Sequence, residues 1–491
     1  MAKPTLNLSQ ALSRAMSAYN AGKLGEAEQL CQQIINTKRG LFDALHLLAV
    51  VQSSLGKKDT AVASYDRALT LRPNSAETLS NRGVTLHELK RFAEALASYD
   101  RALTLRPDYA AALCNRGNAL KELKRFEEAL ASYDRALALR PDYAEALSNR
   151  GVTLHELKRF EEALASYDRA LKVRPDLAEA HFNEAVCRLL IGDFDRGWEK
   201  IEWRWKTGQP RNEKRNFAQP QWTGQEDIAG KTVLLHTEQG FGDTIQFCRY
   251  VPRVVERAGR VILEVPKPLH ELMSTLSGAA QIISRGDPLP DFDIHCPLLS
   301  LPLAFRTQLE SIPSTTPYLE VPINASQHWN TQLGPPDRPR IGICWAGNPN
   351  FRRDRSRSIG LSPILPLLAN AEVQFFSLQK DLRAGDAEIL RANHRITHLG
   401  QAIQTFSDTA AIISLMDLVI SSDTSVVHLA GALGKPTWIL LQFVPDWRWL
   451  LDREDSPWYP TARLFRQDET RQWDNVIARV HAALHVYVRS L

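Results

Sequence analysis

The sequence predicts an α-helical repeat solenoid followed by two α/β lobes of the Rossmann-like kind. Three observations predict it. The phrase SYDRAL returns at Ser64, Ser98, Ser132 and Ser166, a fixed step of 34 residues. Beyond about residue 230 that period disappears, and short apolar runs alternate with helix-like stretches. A proline-rich interval, Pro313–Pro339, then interrupts the alternation, which restarts at Arg340. A chain of 491 residues suits several domains better than one core.

The repeats come first. Pro73, Pro107, Pro141 and Pro175 keep the same step, as do Ala61, Ala95, Ala129 and Ala163. A 34-residue period with these markers is the tetratricopeptide signature. Each unit reads as two helices, for example Ala76–Lys90 and Phe92–Leu105. Gly83, Gly117 and Gly151 sit where the two helices approach closely, and Ala95 and Ala102 keep that contact tight. Tyr99 is expected to fill the gap to the next unit. Pro107 ends the second helix, because it has no N–H and clashes with the preceding turn. About six units are expected over residues 8–209. The first lacks the proline and the last departs from the pattern after Asp193, as capping units do.

One column goes beyond packing. Asn81, Asn115, Asn149 and Asn183 share a position on the first helix of their units. An amide both donates and accepts, so such a column can hold the backbone of an extended peptide without reading its sequence. It resembles the asparagine ladder of the O-GlcNAc transferases, which also carry tetratricopeptide repeats before a catalytic region. The competing reading is that duplication copied an ordinary polar residue along with the repeat.

After the repeats, DFDRGWEKIEWRWKTG has a helical period and three tryptophans, Trp198, Trp203 and Trp205, read as packing at the end of the solenoid. Asn212–Trp222 reads as a polar linker. The first lobe is expected over residues 210–320, a linker over 321–337 and the second lobe over 338–491. TVLLH (Thr232–His236) and RVILEV (Arg260–Val265) are apolar enough for buried strands, with a helix from Thr244 to Arg257 between them. RIGICWAG, VQFFSLQ, ITHLG, DLVISSD and PTWILL repeat that theme in the second lobe. Strands alternating with helices imply parallel sheets, whose ligands bind beyond the carboxyl ends of the strands.

Three motifs fall at those ends. In EQGFGDTIQF (Glu238–Phe247), Asp243 stands at a helix start, either as a cap or as a carboxylate facing a cleft. In SSDTSVVHLAGALGKP (Ser421–Pro436), Asp423, Thr424 and Ser425 start a helix and His428 follows within two turns. Hydroxyls and free N–H groups at a helix start suit a diphosphate. Equally, the three can be caps and His428 a packed core residue. In WAGNPNFRRDRSRSI (Trp345–Ile359), Arg352, Arg353, Arg355 and Arg357 follow a strand, and guanidinium groups pair with phosphate. A charge run in a loop is also commonly just solvated.

GDTIQFCRYVP (Gly242–Pro252) and DTSVVHLAGALGKP (Asp423–Pro436) together resemble the bacterial heptosyltransferases, glycosyltransferase family 9, of GT-B fold. The resemblance runs from about Lys231 to His481. It implies a base at Asp243 and donor diphosphate and sugar contacts at Asp423, Thr424, Ser425 and His428. Arg357 matches a basic donor-phosphate position where the family often has lysine. The nucleoside would lie near Trp345–Asn348 and Phe376–Asp381, which singles out Trp345, Asn348, Gln379 and Lys380. Such enzymes generally need no metal and no cofactor beyond the nucleotide-sugar co-substrate. The rim Val444–Pro460, with Trp447, Trp449, Trp458 and Tyr459, either shapes the cleft or is a packed loop. The final helix, about Asp474–Val488, is implied to cross back and brace the first lobe. Repeats fused to such a domain are similar to bacterial proteins regarded as protein glycosyltransferases.

Composition narrows the alternatives. With 44% hydrophobic and 24% charged residues the chain has the balance of a folded protein. A net charge of +4 over this length gives no reason to expect nucleic-acid binding. The first residues, MAKPTLNLSQ, lack a signal-peptide apolar region, and no run reaches the ~18 apolar residues of a membrane span. The six cysteines form no CxxC pair, which fits a reducing cytoplasm better than disulfides or a zinc site. The expected function is therefore a cytoplasmic glycosyltransferase that moves a sugar from a nucleotide donor to a protein or peptide held by the repeats. The alternative is a repeat adaptor with a degenerate GT-B domain. A homo-oligomer is compatible with the sequence, which compels no interface.

Overall fold

Proline and the 34-residue period set the helix boundaries of the repeats. The computed structural model describes residues 8–37, 41–208, 214–276, 278, 281–349 and 354–491. Helices pair as α1 (Leu8–Asn20) with α2 (Leu24–Thr37), α3 (Phe42–Ser54) with α4 (Lys58–Leu71), α5 (Ala76–Glu88) with α6 (Phe92–Leu105), α7 (Ala110–Glu122) with α8 (Phe126–Leu139), and α9 (Ala144–Glu156) with α10 (Phe160–Val173). A sixth pair follows, α11 (Ala178–Leu190) and α12 (Phe194–Ile201). The second helices α4, α6, α8 and α10 each stop two residues before a proline. The intervening Arg106, with φ −140° and ψ 87°, has the extended backbone that a following proline imposes.

Inside a unit, glycine and tyrosine are one device. A Cβ on Gly83 would lie 2.6 Å from the ring of Tyr99, on Gly117 2.5 Å from Tyr133, and on Gly151 2.5 Å from Tyr167. Tyr99 does not simply fill the gap to the next unit. Its ring is seated on Gly83 of its own unit, within a core that continues into Ala112 and Leu113 of the next. Between units an arginine makes the connection. Arg82 donates through Nε to Asp66 of the preceding unit (2.7 Å) and through Nη1 to Ser98 of its own (2.7 Å). Arg116 and Arg150 repeat this with Asp100 and Ser132, and with Asp134 and Ser166.

Each pair also turns on one left-handed residue. It is Gly22 (φ 73°), Gly56 (φ 77°) and Gly192 (φ 87°) in three units, but Lys90, Lys124 and Lys158 (φ 61°, 59° and 58°) in the other three. A lysine there carries a Cβ clash that glycine avoids.

The chain divides into two units, Met1–Ala180 and His181–Leu491. The division falls inside α11 rather than after the last pair. The reason lies within the second unit. Trp198 of α12 donates its indole N–H to the Thr307 carbonyl at 2.9 Å, and Arg204, just beyond α12, donates to Ser300 at 2.7 Å and Glu238 at 3.1 Å. The three bridge tryptophans are packing elements: Trp198 is buried, Trp203 stacks on His181, and Trp205 lies under the Arg204 guanidinium. Trp222, at the end of the expected polar linker, is also buried, and its backbone N–H donates to the His295 carbonyl at 2.7 Å.

The second unit is α/β. Its first sheet contains β1 (Thr232–His236), β2 (Arg260–Val265), β3 (Gln281–Ser284) and β4 (Ile294–Pro297), all parallel in the order β3-β2-β1-β4. Short helices connect and flank these strands: α13 (Phe241–Phe247), α14 (Val251–Val255), α15 (His270–Met273) and α16 (Leu301–Ala304). The helix expected from Thr244 begins three residues earlier and breaks before Pro252. The stretch expected as an interlobe linker holds α17 (Ile323–Leu333), whose Trp329 indole donates to Asp408 at 2.9 Å.

The second sheet is parallel throughout: β5 (Arg340–Cys344), β6 (Gln374–Ser377), β7 (Ile396–His398), β8 (Leu418–Ser422), β9 (Thr437–Leu441) and β10 (Ala462–Arg466), in the order β10-β9-β8-β5-β6-β7. Among the described residues its helices are α18 (Asp354–Arg357), α19 (Asp386–Ala392), α20 (Phe406–Ser414), α21 (Ser425–Ala432) and α22 (Asp474–Val488). The order reverses between β5 and β8, the doubly wound arrangement whose crevice lies beyond the carboxyl ends of those two strands. α22 does not brace the first sheet as expected. Its Val476, Ile477, Val480 and Leu484 enter the core of the second sheet, and Tyr487 donates to the Asp417 carbonyl at 3.0 Å. Its apolar face matches that core, so burial settles where it packs.

The left-handed lysines give a stability test. Lys124→Gly relieves Cβ strain of about 1–2 kcal/mol and adds about 0.5–1 kcal/mol of unfolded-chain entropy, so it should be neutral or stabilising by up to about 1.5 kcal/mol in urea unfolding. Lys124→Val should destabilise. A glycine variant as unstable as the valine variant contradicts the reading.

Candidate functional site

The segments after β5, β8 and β1 meet: Gly242 lies against Ser425 and His428, and Arg357 reaches Asp423. β8 ends at Ser422, and Thr424 caps α21 by accepting the Val426 N–H at 3.3 Å. The following N–H groups are those of a helix start, where partial positive charge gathers. Arg357, the last residue of α18, donates Nη1 to the Asp423 carbonyl at 2.8 Å. It is fixed by Asp354, whose buried carboxylate lies 3.5 Å from Nε of Arg357 and also pairs with Arg383. Gly347 makes this fit possible, since a Cβ there would lie 2.5 Å from Nη2 of Arg357 and 2.8 Å from Oδ1 of Asp354. Burial pushes the Asp423 carboxyl up to about 6, and nearby Asp446 adds to this.

The expected nucleoside residues divide. Trp345 is wholly buried, its indole donating to Asp386 at 2.9 Å. Gln379 is buried and spent on the loop backbone: its Oε1 accepts from the Trp345 and Ala346 N–H groups, and its Nε2 donates to the Ala346 and Asp381 carbonyls. Both therefore shape the loop from inside. Asn348 and Lys380 are exposed beside it. Ser425 is half-buried on the first turn of α21. Arg352 and Arg353 lie outside the described residues.

From the first sheet, α13 points its start at α21. Of the two parts left open by its sequence, Asp243 takes the cap. Its Oδ2 accepts the Gly240 N–H at 2.8 Å, a cap from the third helical position, while Oδ1 pairs with Arg448 of the second lobe. A Cβ on Gly242 would lie 2.7 Å from Cδ2 of His428 and 3.6 Å from the Cα of Ser425, so this glycine lets the two helices close on one another. His428 is buried, its Nδ1 lies 2.9 Å from the Tyr459 hydroxyl, and it stacks on Trp449. Burial, with Arg448, Arg249 and Arg357 nearby, holds it far below the usual histidine range, so it is neutral. Trp447, Trp449, Trp458 and Tyr459 are all buried, as a packed loop requires.

Four residues that the sequence motifs do not single out matter most here. Arg448 reaches from the second lobe to Asp243 and Gln246 (2.5 Å). Arg249 reaches the other way, donating to the Trp458 carbonyl (2.5 Å) and the Tyr318 hydroxyl (2.9 Å). Arg204 and Glu238 form a buried pair at the end of β1, and burial pushes Glu238 up to about 7 despite that partner. The available signal was a charge inside an apolar run: Arg249 in IQFCRYVP and Arg448 between two tryptophans.

The asparagines sit as the period requires. Asn81, Asn115 and Asn149 are half-buried on α5, α7 and α9. Among the described residues no hydrogen bond occupies the amides of Asn81 and Asn115, whereas Asn149 interacts with the Cys114 thiol. Asn183 is half-buried on α11, in the second unit.

Comparison with known proteins identifies the repeats. Models described as TPR repeat match residues 85–124 and 117–158, and models described as tetratricopeptide repeat match 42–75 and 144–177. The chain carries tetratricopeptide repeats. Protein FlbA of Caulobacter vibrioides is 27% identical over 339 residues, covering 62% of this chain and 55% of FlbA. The chain thus spans about half the length of this curated relative. Solved structures with similarity include PilW, a type IV pilus biogenesis factor (22% identity, TM-score 0.39, 43% of this chain and 96% of that one). Another is pilF of Pseudomonas aeruginosa (20% identity, TM-score 0.37, 41% of this chain and 92% of that one). Among the described residues no helix is long and apolar enough to cross a membrane.

Under the first sheet lies a buried histidine pair, His236 on β1 and His295 on β4, with ring nitrogens 3.1 Å apart. Burial, with Arg215 close by, depresses both, His295 to about 4. Unfolded histidines take up protons near pH 6.5, which the folded pair refuses. The pair's contribution is therefore full above pH 6.5 and is lost as pH falls toward 4. His295→Gln should give a flatter fall of unfolding free energy with acidification over that range than wild type. Equal slopes in urea titrations at several pH values contradict this.

Proposed function

We propose that the second unit is a nucleotide-sugar-dependent glycosyltransferase of GT-B type, and that the repeats hold its protein or peptide acceptor. The observation that carries this is Arg357 fixed against the Asp423 carbonyl beside the start of α21, where the strand order reverses between β5 and β8. A cation and a helix start together favour an anion with several oxygens, such as a diphosphate. Asp423, Thr424, Ser425 and Arg357 form its bed, with Asn348 and Lys380 on the rim.

In this reading an acceptor hydroxyl attacks the anomeric carbon and the bond from that carbon to the diphosphate breaks. The nucleoside diphosphate leaves with the bonding electrons, and helix start and guanidinium spread its charge. The hydroxyl proton passes to Asp243. The half-buried amides of Asn81, Asn115, Asn149 and Asn183 hold the peptide backbone.

A second reading has its own support: the repeats act as a protein-binding adaptor and the α/β unit is catalytically degenerate. His428 is neutral and packed, and Asp243 is already engaged, as such a unit allows.

Thermal shift of the full chain with UDP, GDP, ADP and CMP separates the two. One nucleotide at a hundredfold excess over Kd should add about 2.7 kcal/mol and raise the melting temperature by several degrees. Arg357→Ala should abolish that shift. No shift with any of the four contradicts the transferase and leaves the adaptor.

A further inference from the structure

Asp243, the base of that reading, is not available in this structure. Its Oδ2 accepts the Gly240 N–H and its Oδ1 is held by Arg448.

Arg448 itself holds partners in both lobes. It is nine-tenths buried on the turn Trp447–Trp449 and lies over the Trp447 ring at 4.4 Å. Asp446, two residues earlier, accepts from Nη1 at 2.8 Å and tethers it. In the first lobe it meets Asp243 and Gln246, and Gly242, next to Asp243, lies against Ser425 at the start of α21. The Arg448–Asp243 pair thus sits beside the proposed anion bed.

We propose that Arg448 is a positioning residue that exchanges partners: when a nucleoside diphosphate occupies the start of α21, Arg448 transfers from Asp243 to the phosphate oxygens and releases the base. The inference rests on the transferase reading above. A diphosphate offers more charge and more acceptor oxygens than one carboxylate, and a planar guanidinium pairs with it bidentately. No covalent bond is made or broken in the exchange. Its consequence is order, because the base is armed only where donor is bound and an acceptor arriving first meets a blocked carboxylate.

Competition gives a reciprocal signature. If Asp243 and diphosphate share Arg448, removing the Asp243 charge must strengthen diphosphate binding, since the ion pair no longer has to break. Calorimetric titration of the full chain with UDP, GDP and ADP tests it. For whichever nucleotide wild type binds, Asp243→Asn should bind about tenfold tighter and Arg448→Ala about tenfold weaker, with Arg448→Lys recovering part of the loss, effects within the usual range of site coupling. The amide introduced by Asp243→Asn keeps an oxygen for the Gly240 N–H, so this variant carries the test alone if Arg448→Ala fails to fold. Binding by Asp243→Asn that is unchanged or weaker overturns the exchange while leaving the transferase standing. Wild type that binds none of the three overturns both.

Discussion

The arrangement of the α/β unit depends on the closeness of α13 and α21. Gly242 presents no side chain, so the helix start carrying Asp243 lies directly against the turn carrying Ser425 and His428. A methyl group at Gly242 would enter the His428 ring. With the two starts in contact, charge on one is felt by the other, and water has little room to screen it. Arg448 and Arg249 then cross the junction in opposite directions, each buried and each bonded to the other lobe. Buried arginines are tolerable only when their donors are met. The aromatic loop of Trp447, Trp449, Trp458 and Tyr459 supplies the walls and, through the Trp458 carbonyl, one of those acceptors.

The repeats solve a different problem by the same economy. Each of the three central units buries a tyrosine on a glycine and joins its neighbour through one arginine. A half-exposed ion pair is worth little by itself. Here the same guanidinium also meets a buried serine hydroxyl, which fixes its geometry. In the sixth unit Glu184 replaces this arginine and binds Arg188 and Lys200 instead.

Legibility follows the range of the interaction. The repeats are readable because helix boundaries, prolines and small residues are local and periodic; Pro107 ends α6 as its chemistry demands. The parallel strands are readable as apolar runs. The pairing of Asp243 with Arg448 spans 205 residues and leaves no trace in spacing. The apolar face of α22 states that it packs, not on what, so its partner sheet is not legible. The left-handed lysines escape notice because lysine normally avoids that region; only alignment with Gly22, Gly56 and Gly192 reveals them. Trp345 and Gln379 stand out by their place after strands, whereas burial and backbone hydrogen bonds assign them to holding the loop.

The central claim is that the α21 start and the loop after β5 form an anion bed. Hydrogen–deuterium exchange of the full chain, with and without saturating UDP, GDP or ADP, tests it most directly. One nucleotide should slow exchange in 421–432 and 354–358 while β3, at the edge of the first sheet, is unchanged. Unaltered exchange in 421–432 with every nucleotide would contradict it.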